Sequence, residues 1–154
     1  MELMDAIRNR RSIRVFDGRP VDLETVRTLV QAASFAPSRM NSQPWHFHVV
    51  TDAALHRVTE VMAMSTSYLE EYLDVLGPEG VERAARFHAD LGNAPVAIGI
   101  SSPYYEDPFE ARDEAISIGA ALENLLLAAV NTQPSFGITF SISSLLDKQS
   151  STKS

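Results

Sequence analysis

The chain has 154 residues, 45% of them hydrophobic, and a formal net charge of -7. That length fits one domain, since compact domains usually run about 100 to 150 residues. The acidic balance argues against general affinity for nucleic acid or anionic membranes, and the absence of cysteine excludes disulfides, thiolate metal sites and thiol nucleophiles.

No apolar run in the sequence approaches the roughly 20 residues of a membrane helix. The polar start MELMDAIRNRRS does not read as a secretory signal, so the expected location is cytoplasmic.

In chain order, Leu3 and Ile7 stand one turn apart and predict a short amphipathic helix over residues 2–9. Asp22 predicts the N-cap of a second helix with the stripe Leu23, Val26, Leu29, Val30 and Ala33, ending near Ala36 because Pro37 follows. Trp45, Phe47 and Val49 alternate with His46 and His48 in the period of a strand. Asp52 can cap a third helix burying Leu55, Val58 and Val61 or Met62.

Tyr68, Leu69, Tyr72, Leu73 and Leu76 predict another helical stretch, which GPEG (Gly77 to Gly80) breaks before a helix restarts through Phe87 and Leu91. PVAIGI, from Pro95 to Ile100, reads as a short buried strand. A long helix follows from about Phe109 to Val130, with Ile118, Leu122, Leu125 and Leu126 inward and Ala115, Gly119 and Ala129 permitting close packing. Phe136, Ile138, Phe140 and Ile142 predict a last strand. The order gives an α+β fold, helices covering a small central sheet.

Composition switches near Asn131. All eleven arginines lie at or before Arg112, the two lysines are Lys148 and Lys153, and alanine is absent after Ala129. The expected division is a domain over residues 1–130 and an atypical segment over 131–154. That segment is expected to be foreign to the domain, a frameshifted end or read-through; a solvated polar tail is the alternative.

Two stretches carry candidate chemistry. Arg8, Arg10, Arg11 and Arg14 surround Ser12, and extended alternation puts Arg10, Ser12 and Arg14 on one side, with Arg11 and Ile13 on the other. Such a set suits a phosphate, which favours forked, charge-assisted donors; a solvated basic turn is the alternative. PSRMNSQPWHF, Pro37 to Phe47, is a rigid polar loop that either presents Ser38, Asn41 and Gln43 to a planar ligand or uses them to cap its own backbone.

His46 and His48 share a strand face, but with no third ligand in view a metal site is not expected. Glu70, Glu71, Glu106 and Asp107 read as solvated carboxylates. Tyr104 and Tyr105 are candidates for a pocket lining, whereas the helical spacing of Tyr68 and Tyr72 favours packing.

Taken together and in order, RRSIRVFDGRPV and AASFAPSRMNSQPWHF resemble the nitroreductase family of FMN-dependent oxidoreductases. APVAIGI is similar to that family's second core strand and AALENLLLAA to its long central helix. The resemblance covers about residues 2–130. It implies that Arg10, Arg11, Ser12 and Arg14 hold the flavin phosphate and ribityl chain. It also implies that Pro37, Ser38, Arg39, Met40 and Asn41 act in trans on the flavin of a partner subunit.

The resemblance further implies a homodimer with two shared FMN sites and hydride delivered to the flavin by NAD(P)H. A small-molecule acceptor such as a nitroaromatic or quinone is then reduced. The flavin carries that chemistry, so no residue is assigned as catalytic and no dinucleotide-binding glycine fingerprint is required. Nothing after about Asn131 matches the family's glycine-rich flavin-contacting segment or its late basic residue. A non-catalytic remnant that dimerises or binds flavin weakly is therefore the alternative function. Flavin-fragmenting and reductive-dehalogenating relatives show that the same fold also serves other reactions.

Overall fold

The structure, a computed structural model, describes residues 2–64 and 73–132. Five helices and two strands follow one another in the described chain. They are α1 (Leu3–Asn9), α2 (Leu23–Ser34), β1 (His46–Thr51), α3 (Asp52–Met64), α4 (Leu73–Asp90), β2 (Val96–Ser101) and α5 (Pro108–Thr132). Short 3-10 turns at Arg39–Asn41 and Leu91–Asn93 precede β1 and β2. The expected α+β class holds, with helices dominating a small sheet.

Local chemistry sets several boundaries. The Thr25 backbone N–H donates to Asp22 Oδ1 at 2.7 Å and its hydroxyl to Oδ2 at 2.8 Å, so Asp22 caps α2 as expected. Gly77, at φ 67° and ψ 169°, and Pro78 kink α4 where the sequence placed a break. Asp107 caps α5, accepting from the Phe109 N–H at 2.7 Å and the Glu110 N–H at 3.3 Å. It is a structural carboxylate rather than merely a solvated one.

The strands pair antiparallel from His46 opposite Ser101 to Thr51 opposite Val96. Phe47 stands across from Ile100 and Val49 across from Ile98, so the apolar residues of both strands share one face. Trp45, just before β1, is buried and Phe47 half-buried, but Val49 is exposed, so the expected inward alternation fades toward the strand's end.

The core forms where α2 crosses α5 beside the sheet. Leu29, Ala33 and Ala36 meet Ile118, Ala121, Leu125 and Ala129, with Trp45 and Ile100 closing the cluster. Ala33 and Ala121 have no solvent-accessible surface, so paired small side chains let the two helices approach closely. Asn124 Nδ2 donates to the Ala32 carbonyl at 3.3 Å across the same contact.

Several expected packing assignments change. On α5, Ala115 and Gly119 face outward and Ala121 with Ala129 makes the close contact. On α3 no residue is fully buried: Leu55, Val58 and Met62 are half-buried and Val61 is 67% exposed. On α2, Leu23 is exposed at the first turn. In α1 the helix forms, yet Leu3 and Ile7 face outward and Ala6 is the buried residue. The apolar stripe of α1 stands exposed among the described residues.

By length and composition α5 is apolar enough to cross a membrane, which scanning for an uninterrupted apolar run does not reveal. In this fold it is the central packing helix, and it buries Glu114 and Ser117. The helix predicted around Tyr68 to Tyr72 and the strand predicted at Phe136 to Ile142 lie outside the described residues. The segment 131–154 does too, apart from Asn131 and Thr132, which finish α5.

Candidate functional site

Between α1 and α2 the chain runs from Arg10 to Asp22 without regular secondary structure, so side chains alone determine what this stretch offers. Its path is fixed by the turn after α4. The Phe16 N–H donates to the Gly92 carbonyl at 2.8 Å, and Asp90 Oδ1 accepts from the Gly92 N–H at 2.8 Å. Gly92 sits at φ 64°, and a Cβ there would lie 2.1 Å from the Arg14 carbonyl oxygen. Only glycine permits this approach, which clamps the arginine segment against α4.

The clamped segment forms one wall of a cavity of about 350 Å³. Arg10, Arg11, Ser12, Ile13 and Arg14 all reach it. The lining therefore does not separate Arg10, Ser12 and Arg14 from Arg11 and Ile13. The Ile13 N–H donates to the Arg11 carbonyl at 3.1 Å, a tight turn that rotates successive side chains away from strand geometry.

Within that wall Arg11 Nη1 donates to the carbonyls of Arg8 at 2.7 Å and Arg10 at 2.8 Å, while Arg14 Nη1 donates to the Ser12 carbonyl at 3.3 Å. Arg10 Nε lies 3.8 Å from Glu123 of α5. Each guanidinium carries five donors, so these contacts orient the forks without exhausting them.

The facing wall is mainly apolar, formed by Met62 of α3, Ala84 and Phe87 of α4, and Leu126 of α5. His88 completes it, and its buried Nδ1 has no hydrogen-bond partner among the described residues. No carboxylate lines the cavity among those residues. An aromatic body carrying an anionic tail matches this division of charge. Sequence reading did not single out His88, which stands one helical turn after Ala84 on α4.

The second candidate loop lies apart from this cavity, braced on the first half of α5. The Arg39 N–H donates to Ser117 Oγ at 3.2 Å, and the Arg39 guanidinium meets Glu110 at 3.3 Å and Asp113 at 3.6 Å. Ser42 Oγ lies 3.2 Å from both oxygens of Glu114, a carboxylate only 2% exposed. Glu110, Asp113, Glu114 and Ser117 form one polar stripe at spacings of three and four on the first half of this helix. That spacing was visible in the sequence, and its role as a seat for the loop was not anticipated.

Inside the loop, Ser38 Oγ accepts from the Gln43 N–H at 2.9 Å, and Gln43 Nε2 donates to Asn41 Oδ1 at 3.0 Å. These side chains tie the loop to itself, which is the capping alternative. Met40 (φ 48°) and Asn41 (φ 59°) are held in left-handed backbone, and the Met40 side chain is 89% exposed. Arg39 is turned inward to α5, and Pro37 is exposed. Within one chain, the loop set Pro37, Ser38, Arg39, Met40 and Asn41 is therefore not brought to the arginine cavity.

Of the weaker candidates, His46 and His48 are exposed, and His48 Nε2 pairs with Ser101 Oγ at 2.8 Å across the sheet. No cluster that could hold a metal ion occurs among the described residues. Tyr104 is exposed, whereas burial raises the Tyr105 phenol above its ordinary pKa, with Glu114 and Glu110 adding to the rise and Arg39 opposing it. Glu70, Glu71, Tyr68 and Tyr72 lie outside the described residues.

The profile of the Nitroreductase family matches residues 7–137. The chain is 36% identical over 98 residues to the nitrobenzene nitroreductase of Ectopseudomonas oleovorans, covering 64% of this chain and 40% of that protein. It is 38% identical over 102 residues to nitroreductase NfnB of Mycolicibacterium smegmatis, covering 62% and 42%. The chain thus spans well under half the length of these curated relatives. Among solved structures, a nitroreductase with bound FMN from Desulfitobacterium hafniense superposes with a TM-score of 0.66 at 25% identity, covering 86% of this chain and 66% of that one.

Proposed function

This chain belongs to the nitroreductase family, and on that premise we propose that it binds FMN and works as an NAD(P)H-dependent oxidoreductase. Its acceptor is a nitroaromatic, quinone or similar small molecule. The observation that carries this reading is the convergence of Arg10, Arg11, Ser12 and Arg14 on one cavity whose opposite wall is mainly apolar. The bound-FMN relative and the nitrobenzene-reducing relative support it.

The residues present fit the cofactor. The guanidiniums and the Ser12 hydroxyl hold the phosphate and ribityl chain, for which forked charge-assisted donors are the strongest partners. Phe87, Met62 and Leu126 offer apolar surface against which a planar ring can pack. When bound, FMN supplies the capacity to accept a hydride and pass its electrons on, and the protein contributes position and electrostatics.

Pro37, Ser38, Arg39, Met40 and Asn41 are assigned to a partner's flavin in a homodimer. Three observations support this assignment: the loop stands apart from its own chain's cavity, Met40 projects outward, and Leu3 and Ile7 of α1 are exposed among the described residues. A monomer then has an incomplete site.

The test is anaerobic. FMN-loaded protein is mixed with NADH or NADPH, and the visible flavin band is followed by absorbance. Bleaching by either nucleotide, followed by recovery of the band on adding a nitroaromatic or quinone, is the expected result. A bound flavin that neither nucleotide reduces would contradict the proposed activity while leaving the cofactor assignment standing.

A further inference from the structure

The loop that precedes β1 is held in an unfavourable backbone form. Met40 (φ 48°), Asn41 (φ 59°) and Gln43 (φ 48°) all sit in left-handed geometry, and none of them is glycine. Each such residue costs free energy and persists only where its surroundings dictate it. Two kinds of contact tie this loop to α5. Arg39 pairs with Glu110 and Asp113, but those side chains are 36%, 44% and 39% exposed, so water competes for each of them. Glu114 differs, because it is only 2% exposed and the Ser42 hydroxyl donates to both of its oxygens at 3.2 Å. Ser117, 4% exposed and one turn further along, accepts from the Arg39 N–H at 3.2 Å and donates to the Asp113 carbonyl at 3.0 Å.

We infer that Glu114 is a positioning residue for the flavin contact made in trans: through Ser42 it holds the Met40–Asn41 backbone in the form that meets the partner's flavin. The inference rests on the proposed reading of this loop as acting on a partner subunit's cofactor. Ser42 directly follows Asn41 and Arg39 directly precedes Met40, so the two buried groups of α5 grip the left-handed pair from both ends. A hydroxyl shared between two carboxylate oxygens has its direction fixed, and a charged acceptor makes the stronger bond. The seat itself is rigid, since Ile118, Ala121 and Leu125 lock the same helix into the core.

The test uses the full chain and two readouts. Backbone chemical shifts of Met40 and Asn41, followed by NMR without flavin, report the loop's own conformation. Glu114→Leu is expected to move both residues out of the left-handed range. Glu114→Gln should leave them there, because its amide oxygen still accepts from Ser42. Titrations with FMN and riboflavin, followed by flavin fluorescence, report the consequence. Glu114→Leu should weaken both flavins alike, roughly tenfold, the scale of a lost contact to a charged group. The two losses match because the loop acts away from the arginines assigned to the phosphate. Glu114→Gln should recover most of the affinity.

Asp22→Ala serves as the control for stability alone, since it removes a helix cap at the end of α2 remote from the loop and should leave both affinities unchanged. If Glu114→Leu does not fold, Ser42→Ala breaks the same contact from its exposed side and carries the same expectations. Wild-type shifts at Met40 and Asn41 in the folded variant would overturn the inference, as would wild-type flavin affinity or an equal loss in Asp22→Ala. If FMN does not bind the wild type at all, the flavin reading fails separately. The chemical shifts then decide by themselves whether Glu114 positions the loop.

Discussion

Asp22 caps α2 through both of its carboxylate oxygens, and Thr25 supplies both hydrogen bonds. The backbone bond first, and the hydroxyl second, hold the Asp22 carboxyl below its ordinary pKa. A depressed carboxyl contributes stability that is present above its unfolded value and lost as pH falls through the folded one. Asp22→Ala is therefore expected to melt earlier than wild type at neutral pH, and the gap should close in acid. Melting curves across pH test this, and a gap of constant size would count against the cap as its source.

At the same scale, Ser42 pairs with the nearly buried Glu114. Ser42→Ala leaves that carboxylate without its hydroxyl partner and should cost about 1–3 kcal/mol in denaturant titration. Because replacing both partners removes the unmet demand, Ser42→Ala combined with Glu114→Leu should recover part of the loss. Additive losses would show that the pair does not act together. Asp22 was legible in the sequence because capping is local. The tie from Glu114 to Ser42 was not, because it spans 72 positions that only the fold brings together.

The elements divide along similar lines. The kink at Gly77, the strand at PVAIGI and the long α5 could be expected from breakers and periodicity, which depend on neighbours in sequence. Which face each helix buries was less accessible. Leu3 and Ile7 are spaced to pack, yet they are exposed among the described residues, and Val61 loses its place to Met62 because α3 only grazes the core. The basic segment departs from regular extended geometry at this level, since a turn joins Arg11 to Ile13 and all five residues border one cavity.

A pair of glycines separates backbone strain from placement of the arginine segment. Gly92 and Gly77 both hold positive φ, but a Cβ at Gly92 meets the Arg14 carbonyl at 2.1 Å, whereas one at Gly77 meets nothing within 4 Å. Gly92→Ala and Gly77→Ala should each lose about 1–3 kcal/mol to backbone strain. Only Gly92→Ala should also weaken FMN binding, because the arginine segment must move. Wild-type affinity in a folded Gly92→Ala variant would contradict the clamp.

For the molecule as a whole, two candidate sites sit on different parts of one chain. The arginine cavity belongs to α3, α4 and α5, and the Pro37 to Asn41 loop belongs to the acidic stripe of α5. The sequence marked both sets as candidates, and the family resemblance implied that the loop acts in trans on a partner's flavin. In one chain the two sets do not meet, which accords with the proposed sharing between subunits. Since the chain spans only 40% and 42% of the curated relatives it matches, the function of the whole rests on what the described cavity can bind.

The most direct measurement is a paired titration of the chain with FMN and with riboflavin, followed by flavin fluorescence. The arginine cavity predicts saturable FMN binding, much weaker riboflavin binding, and loss of that difference in Arg14→Gln, because the phosphate is the group the guanidiniums hold. Equal affinity for the two flavins, or an unchanged preference in Arg14→Gln, would contradict the placement of the phosphate among Arg10, Arg11, Ser12 and Arg14.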